Sequence, residues 1–156
     1  MPEVNKILFA LELVEAAADV AEWVNLMAEK FQADIYLLHV VPEIPYPGFP
    51  YAVDRPADVE ALVASAEKSV ISFRDAHIGD AHPTRVSVVS GDPAEQILAC
   101  IENHGISIVA MGTHGRKGLS RAIFGSVTDR VLRTSPVPVF CIISYRAESE
   151  SSGGEI

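Results

Sequence analysis

Apolar residues follow two patterns along this chain, short continuous runs and spacings of three and four, and the two patterns alternate. Continuous runs predict buried strands, at Lys6–Leu11, Ile35–Val41, Ile106–Met111 and Val137–Ile143. A further segment, Thr84–Val89, alternates polar and apolar residues, which is typical of a strand nearer a sheet edge. Pro136 and Pro138 indicate that the last run either lies at an edge or enters the sheet late, because proline cannot donate to a central ladder.

Helical spacing fills the intervals between these strands. The expected buried stripes are Ala17, Val20, Ala21, Val24, Met27, Ala28 and Phe31 in the first helix; Val59, Leu62, Val63, Ala66 and Val70 in a second helix from about Asp58 to Ala76; Ala94, Ile97, Leu98 and Ile101 in the third; and Val127, Val131 and Leu132 in the fourth. The third helix has clear ends. Asp92 can cap it, Pro93 suits its first position, and His104-Gly105 stops it.

Strands that alternate with helices predict an α/β fold, a Rossmann-like open five-stranded parallel sheet of order 3-2-1-4-5 with helices on both faces. In that order the winding reverses between the first and fourth strands. Ligands of such sheets bind beyond the carboxyl ends of the strands at the reversal. The sequence places Ala10–Val14 and Gly112–Gly115 there.

The length of 156 residues suits one domain, which we expect over residues 1–146, followed by a disordered acidic tail at 147–156. Between Pro42 and Pro56 a proline-rich loop carries Tyr46, Phe49 and Tyr51, which either cover a ligand or partner or fasten the loop itself. No window approaches the ~18 apolar residues of a membrane helix, and no secretory signal is readable. These features predict a cytoplasmic protein without membrane contact.

The formal net charge of −9 disfavours general nucleic-acid binding, because an acidic surface repels phosphate backbones. Cations nevertheless outnumber anions between Gly112 and Arg133, where Arg116, Lys117, Arg121, Arg130 and Arg133 face Asp129 alone. This segment suits a small anionic ligand or is an ordinary solvated face. Cys100 and Cys141 have no metal-site or redox spacing and are expected to be small buried residues in a reducing compartment.

The same segment contains three glycines whose spacing forms a motif. Two residues separate Gly112 from Gly115, nine separate Gly115 from Gly125, and Ser126 follows. We expect Gly112 and Gly115 to adopt positive φ and to let the backbone approach a ligand. Free amides where a helix begins at Gly125-Ser126 favour phosphate oxygens, although Ser126 could simply cap that helix. The spacing matches neither the Walker loop nor the dinucleotide-binding motif.

The chain resembles the universal stress protein family, specifically its ATP-binding branch, which carries G-x2-G-x9-G-[ST]. The resemblance covers about residues 4 to 144 and includes His39-Val40-Val41, Gly91-Asp92-Pro93 and Pro136-Val-Pro-Val. One stretch departs from the family. Leu11-Glu12-Leu13-Val14 stands where relatives usually read Val-Asp-Gly-Ser.

The resemblance implies an ATP site, with Mg²⁺ held mostly by phosphate oxygens and water. Glu12 would lie near the base or ribose, Val41 would offer backbone groups to adenine, and the glycines would face ribose and phosphates. The full implied set is Ala10, Glu12, Val41, Met111, Gly112, His114, Gly115, Arg116, Gly125, Ser126 and Val127. It also implies a homodimer formed through Val137–Ile143.

The leading hypothesis is an adenine-nucleotide sensor or regulatory module of the stress response, because no base or nucleophile is paired with the loop. His114 could carry a proton but is more simply a solvent-facing loop residue, and none of the five histidines has a metal-ligand partner at convincing spacing. Two alternatives are a slow ATPase using the same site and a dimeric scaffold without ligand.

Overall fold

The computed structural model describes residues 1–14, 16–43, 56–113 and 125–143. In chain order its elements are β1 (Lys6–Ala10), α1 (Ala17–Phe31), β2 (Asp34–Val41), α2 (Pro56–His77), β3 (Thr84–Ser90), α3 (Pro93–His104), β4 (Ile108–Thr113), α4 (Ser126–Thr134) and β5 (Val139–Ile143). The expected tail and the proline-rich loop with Tyr46, Phe49 and Tyr51 lie outside the described residues.

Within these ranges the strands form one parallel sheet in the order β3-β2-β1-β4-β5, which confirms the predicted topology. β1 is central, since Ile7 is paired with Ile35 of β2 on one side and with Ile108 of β4 on the other. β3 and β5 are the two edges, as their sequence patterns predict.

Side chains alternate across the sheet and build one apolar cluster on each face. On one face Phe9 and Leu11 pack with α1 and with Val70 of α2, and the rings of Phe9 and Phe73 meet edge to face at 6.0 Å. On the other face Leu8 and Ala10 pack with α3 and α4. Helices therefore cover both faces of the sheet, as expected.

Two strands begin later than the apolar runs predict. β4 spans Ile108–Thr113 instead of 106–111, and β5 begins at Val139 instead of Val137. The end of α3 explains the first shift. Gly105 is the left-handed C-cap of α3 at φ 61°, and the Ile106 amide donates back to the Ile101 carbonyl at 3.1 Å. Ile106 thus completes the helix end, and Gly112 falls inside the strand.

The buried stripe of α2 is narrower than predicted. Val70 is fully buried and Val59, Val63 and Ala66 are half-buried, whereas Leu62 is 42% exposed. At 100° per residue Leu62 lies about 60° from the centre of the stripe, so it falls at the rim of the contact with the sheet. In α3 the expected face is confirmed, with Ala94, Ile97 and Ile101 buried and Leu98 partly so.

Candidate functional site

A cleft lies where the winding of the sheet reverses. It is a shallow depression of about 270 Å³, part of which is open solvent, between the carboxyl ends of β1 and β4 and the start of α1. Its lining residues are Phe9, Ala10, Glu12, Val14, Ala16, Ala17, Val20, Gly112 and Thr113. Five of these residues lie in the predicted switch-point segments, three on the β1 side and two on the β4 side: Ala10, Glu12, Val14, Gly112 and Thr113. The lining is mostly apolar, which is usual for a small-ligand site.

The β1 side of the cleft is held by backbone contacts with β2. The Leu11 amide donates to the Leu38 carbonyl at 2.8 Å, and the Leu11 carbonyl lies 2.8 Å from His39 Nδ1. Because a carbonyl only accepts, Nδ1 of His39 carries the proton of this bond. His39 is half-buried, and the bond fixes the chain just before Glu12.

The β4 side shows why residue 112 is a glycine. Gly112 is part of the strand and its φ is not in the left-handed region, so the expectation of positive φ at this residue is wrong. A Cβ added there would lie 3.0 Å from Cγ2 of Val20. The missing side chain therefore lets α1 pack closely on the end of β4.

Thr113, the last residue of β4, was not singled out by the sequence analysis. The residue is 3% exposed, and among the described residues its Oγ1 has no hydrogen-bond partner. Strand alternation puts its side chain on the side of Val109 and Met111, the face covered by α3 and α4. Buried hydroxyls are normally paired, so an orphaned one at a cleft is a functional signal.

Two helices begin at this edge of the sheet without a capping side chain. Ala16 is the N-cap of α1 and Gly125 that of α4, and neither residue type has a polar side chain. Ser126 is therefore the first residue of α4 instead of its cap, and it is exposed. The first amides of α4 keep their partial positive charge for an acceptor outside the helix.

The cationic segment is partly neutralised by neighbours that linear sequence does not bring together. Arg130 lies 3.0 Å from Oδ1 of Asp92, the N-cap of α3, and 3.5 Å from a carboxylate oxygen of Glu95 in the first turn of α3. Arg133 pairs with Asp129 at 3.0 Å along α4. Arg130 and Arg133 thus do not form an unpaired positive patch, while Arg116, Lys117 and Arg121 lie outside the described residues.

The remaining implied site residues fall into three groups. Ala10 and Met111 are buried in the cluster under α3 and α4, and Val127 of α4 packs against that cluster, so the structure brings these three together. Val41 ends β2, where its carbonyl accepts from the Gly91 amide at 3.0 Å. His114, Gly115 and Arg116 lie outside the described residues.

Other chemistry is sparse in the described part of the chain. No three His, Cys, Asp or Glu side chains there are grouped as a metal site, and none of its helices is long and apolar enough to cross a membrane. Cys100 and Cys141 are free, and burial raises the pKa of both thiols. They are half-buried, somewhat less than expected, and both are kept protonated at neutral pH.

Solved structures share this fold closely. Universal stress protein UspA from Lactobacillus plantarum superposes with a TM-score of 0.71 at 21% identity, covering 90% of this chain and 98% of the other. A universal stress protein from Archaeoglobus fulgidus in complex with dAMP has a TM-score of 0.56 at 16% identity, covering 91% and 99%. A further universal stress protein, in complex with cAMP, has a TM-score of 0.59 at 14% identity, covering 92% and 99%.

Sequence comparison agrees with the fold. Universal stress protein MJ0531 from Methanocaldococcus jannaschii is 24% identical over 144 residues, which are 92% of this chain and 85% of that protein. The sequence model of the Universal stress protein family matches residues 3–142 of this chain, which is most of its length. With the parallel sheet, its order and the cleft at the reversal in place, this match shows that the chain belongs to the universal stress protein family.

Proposed function

We propose that this protein binds ATP, or a related adenine nucleotide, in the cleft between β1 and β4 and at the start of α4. The observation that carries the proposal is the N-terminus of α4. Gly125 offers no side chain to cap the helix, so the first amides point outward at the sheet edge where ligands of this architecture bind. Amides in that position favour phosphate oxygens.

The location of α4 relative to the cleft supports this assignment. α4 connects two parallel strands and so runs opposite to them, which brings its first turn to the carboxyl ends of the strands. The Arg130–Asp92 contact, one turn into α4, ties this helix to the start of α3 at the same edge. Phosphates at α4 would leave the nucleoside to extend toward the cleft that Glu12 and Gly112 line.

The contacts of the adenine base and of a bound metal ion can be proposed from the chemistry of ATP. The Val41 carbonyl already accepts from Gly91 and has a second lone pair with which to accept from an adenine amino group. Mg²⁺ bound with ATP would be held mostly by phosphate oxygens and water, as is common for this ion. His114, Gly115 and Arg116 complete the proposed phosphate side.

We favour a sensor or regulatory module over an efficient enzyme, acting in the cytoplasm where ATP is abundant. Slow hydrolysis needs only positioned phosphates, a metal and an ordered water. Turnover of ATP at ordinary enzyme rates would contradict the sensor assignment. A slow activity lost in a Ser126→Ala variant of unchanged stability would favour the second candidate, a slow ATPase.

We also propose that two copies pair through β5. This strand is an edge whose outer backbone groups face no other strand in the described residues, and Phe140 and Ile143 on it are 40% and 53% exposed. Trp23 of α1 lies beside Phe140 with ring centroids 6.2 Å apart and is 47% exposed. An apolar edge of this kind is a template for pairing with another strand.

The direct test of nucleotide binding is to denature freshly purified protein and identify any released nucleotide by mass spectrometry, then to titrate stripped protein with ATP and Mg²⁺ in a calorimeter. Adenine nucleotide in the release and saturable heat are expected. No binding at millimolar ATP would overturn the proposal and favour the scaffold without ligand.

A matched pair of serine variants locates the phosphates. Ser126→Ala should weaken ATP binding about 3- to 10-fold, the loss of one hydrogen bond, at nearly constant melting temperature because Ser126 is not the helix cap. Ser72→Ala removes an exposed hydroxyl from α2 and should leave the affinity unchanged. Equal affinities in both variants would exclude Ser126 from the phosphate contact.

A further inference from the structure

The ion pair between α4 and α3 carries an inference that rests on the proposed nucleotide function and deepens it. Arg130 of α4 lies 3.0 Å from Oδ1 of Asp92 and 3.5 Å from Oε1 of Glu95. We propose that Arg130 exchanges these carboxylates for a phosphate group when a nucleotide binds, and that it thereby sets a preference for ATP over AMP. Arg130 is then a specificity-determining residue of the site, a role that the glycine motif does not give it.

The first step is the position of the guanidinium group. Arg130 follows Ser126 by four residues, so the two side chains share a face of α4 and lie one turn apart. Side chains of a helix lean toward its N-terminus, and the guanidinium of Arg130 reaches Asp92, the N-cap of α3. Both helices begin at the carboxyl edge of the sheet, because each follows a parallel strand. The guanidinium therefore lies at the edge where the proposed phosphates bind, although its backbone is one turn farther in.

The second step is the low cost of leaving the carboxylates. The side chain of Arg130 is 44% exposed and that of Glu95 is 66% exposed, and exposed ion pairs contribute little to stability. Asp92 Oδ1 also accepts from the Glu95 amide at 2.9 Å, so this oxygen keeps a hydrogen bond after Arg130 has left. A phosphate group matches the planar guanidinium with two parallel hydrogen bonds and carries more charge than a carboxylate. The exchange therefore favours the phosphate.

The third step is the charge around the start of α4. Three carboxylates lie at the starts of α3 and α4, those of Asp92, Glu95 and Asp129, in a chain with a formal charge of −9. Arg133 pairs with Asp129 at 3.0 Å, whereas Arg130 lies beside the other two carboxylates. A polyphosphate at this edge is repelled by the carboxylates, and a cation that turns toward it offsets the repulsion. The benefit grows with each phosphate, because each adds negative charge.

The test titrates stripped protein with ATP and with AMP in a calorimeter, in the presence of Mg²⁺. Arg130→Gln should weaken ATP binding about 10-fold and AMP binding less than about 3-fold, because a charge-assisted contact to the additional phosphates is lost. Arg130→Lys keeps the charge without the planar fork, and its ATP affinity should fall between wild type and Arg130→Gln.

The matched control is Arg133→Gln. It removes the same charge from the same helix, at a side chain that is 76% exposed and paired with Asp129. Its ATP affinity should change by less than about 2-fold, since solvent and salt screen a charge two turns from the start of α4.

Asp92→Asn provides a second readout of opposite sign. It keeps a capping oxygen for α3 and removes the charge that competes for Arg130, so ATP should bind about 3-fold more tightly. The gain should disappear in an Arg130→Gln background, whereas simple repulsion between Asp92 and the ligand would persist there. An ion pair with only a structural role predicts weaker binding of ATP and AMP alike in Asp92→Asn.

Three results would overturn the exchange while leaving nucleotide binding intact. They are an unchanged ATP affinity in Arg130→Gln, equal weakening of ATP and AMP in that variant, and weaker ATP binding in Asp92→Asn. Failure of the wild type to bind either nucleotide would overturn both the inference and the proposed function.

Discussion

Gly112 and Gly125 belong to the same motif, but the structure assigns them different duties. A Cβ at Gly112 would meet Val20 Cγ2 at 3.0 Å, whereas a Cβ at Gly125 would meet nothing within 4 Å. Gly125 has φ −61° and ψ 161°, which any residue can adopt. Packing inside the chain therefore explains the first glycine. The second is left without a structural reason in the described residues, which is consistent with a ligand that needs the space.

Alanine substitutions should separate these duties. Gly112→Ala should destabilise the protein by about 1–3 kcal/mol, because Val20 is β-branched and its χ1 is restricted in a helix. Gly125→Ala should change stability by less than about 0.5 kcal/mol, since the reduced entropy of the unfolded chain offsets the poorer helix cap. ATP affinity should nevertheless fall in Gly125→Ala. Urea denaturation and calorimetry measure the two effects.

The Val20→Ala background provides the control for Gly112→Ala. Removing the methyl groups that the new Cβ meets should abolish most of its cost, so the two substitutions should be non-additive. Additive losses would show that the clash with Val20 is not the reason for the glycine. Unchanged ATP affinity in Gly125→Ala would remove the main support for phosphate binding at α4.

Residue-scale features were predictable from sequence only where their cause is local. The Asp92 cap, Pro93 and the Gly105 stop depend on neighbours within one turn, and all three are confirmed. Thr113 could not be found in this way, because its lack of a partner among the described residues depends on how α3 and α4 pack over the end of β4. The pairing of Arg130 with Asp92 was missed for the same reason, since 38 residues separate them.

At the scale of elements, Asp92 at the start of α3 links α3 to α4. Asp92 Oδ1 accepts from the Glu95 amide at 2.9 Å and also lies 3.0 Å from Nη1 of Arg130 in α4. One carboxylate oxygen therefore caps α3 and holds α4 beside it through Arg130. The apolar pattern predicted both helices correctly. It placed the start of β4 two residues early, because it does not indicate that Ile106 belongs to the end of α3.

Two substitutions at Asp92 should distinguish its contributions. Asp92→Asn retains a capping oxygen and loses the charge, so the free energy of unfolding should fall by at most about 1 kcal/mol, the value of an exposed ion pair. Asp92→Ala loses both contacts and should cost about 1–2 kcal/mol more than Asp92→Asn. Urea denaturation measures both. Equal losses in the two variants would mean that the capping bond adds nothing to stability.

At the scale of the whole molecule, the parallel sheet was predictable because strand and helix patterns alternate along the entire chain. The order β3-β2-β1-β4-β5 then fixes two edges and one reversal, and the cleft lies at the reversal. The edges differ in character. β3 alternates exposed and half-buried residues, whereas β5 leaves Phe140 and Ile143 exposed beside Trp23. β5 is therefore the edge suited to a second copy of the chain.

The last prediction concerns this edge. Each copy carries a formal charge of −9, so pairing through β5 must overcome electrostatic repulsion, and the dimer should strengthen as salt rises toward physiological concentration. Phe140→Lys places a solvated charge on the edge and should yield monomers at micromolar concentration in sedimentation velocity. Phe31→Lys makes the same change at a phenylalanine on α1 that is 49% exposed, and it should remain dimeric.

Trp23 is the single tryptophan of the chain, so its fluorescence reports on the edge directly. Dilution of the wild type should shift its emission to longer wavelength as the indole becomes exposed, and Phe140→Lys should show the shifted spectrum at every concentration. A wild type that sediments as a monomer throughout would contradict pairing through β5. Two lysines on paired β5 strands would repel each other, so Phe140→Lys should prevent pairing through β5. A Phe140→Lys variant that stays dimeric would therefore show that the dimer forms through another surface.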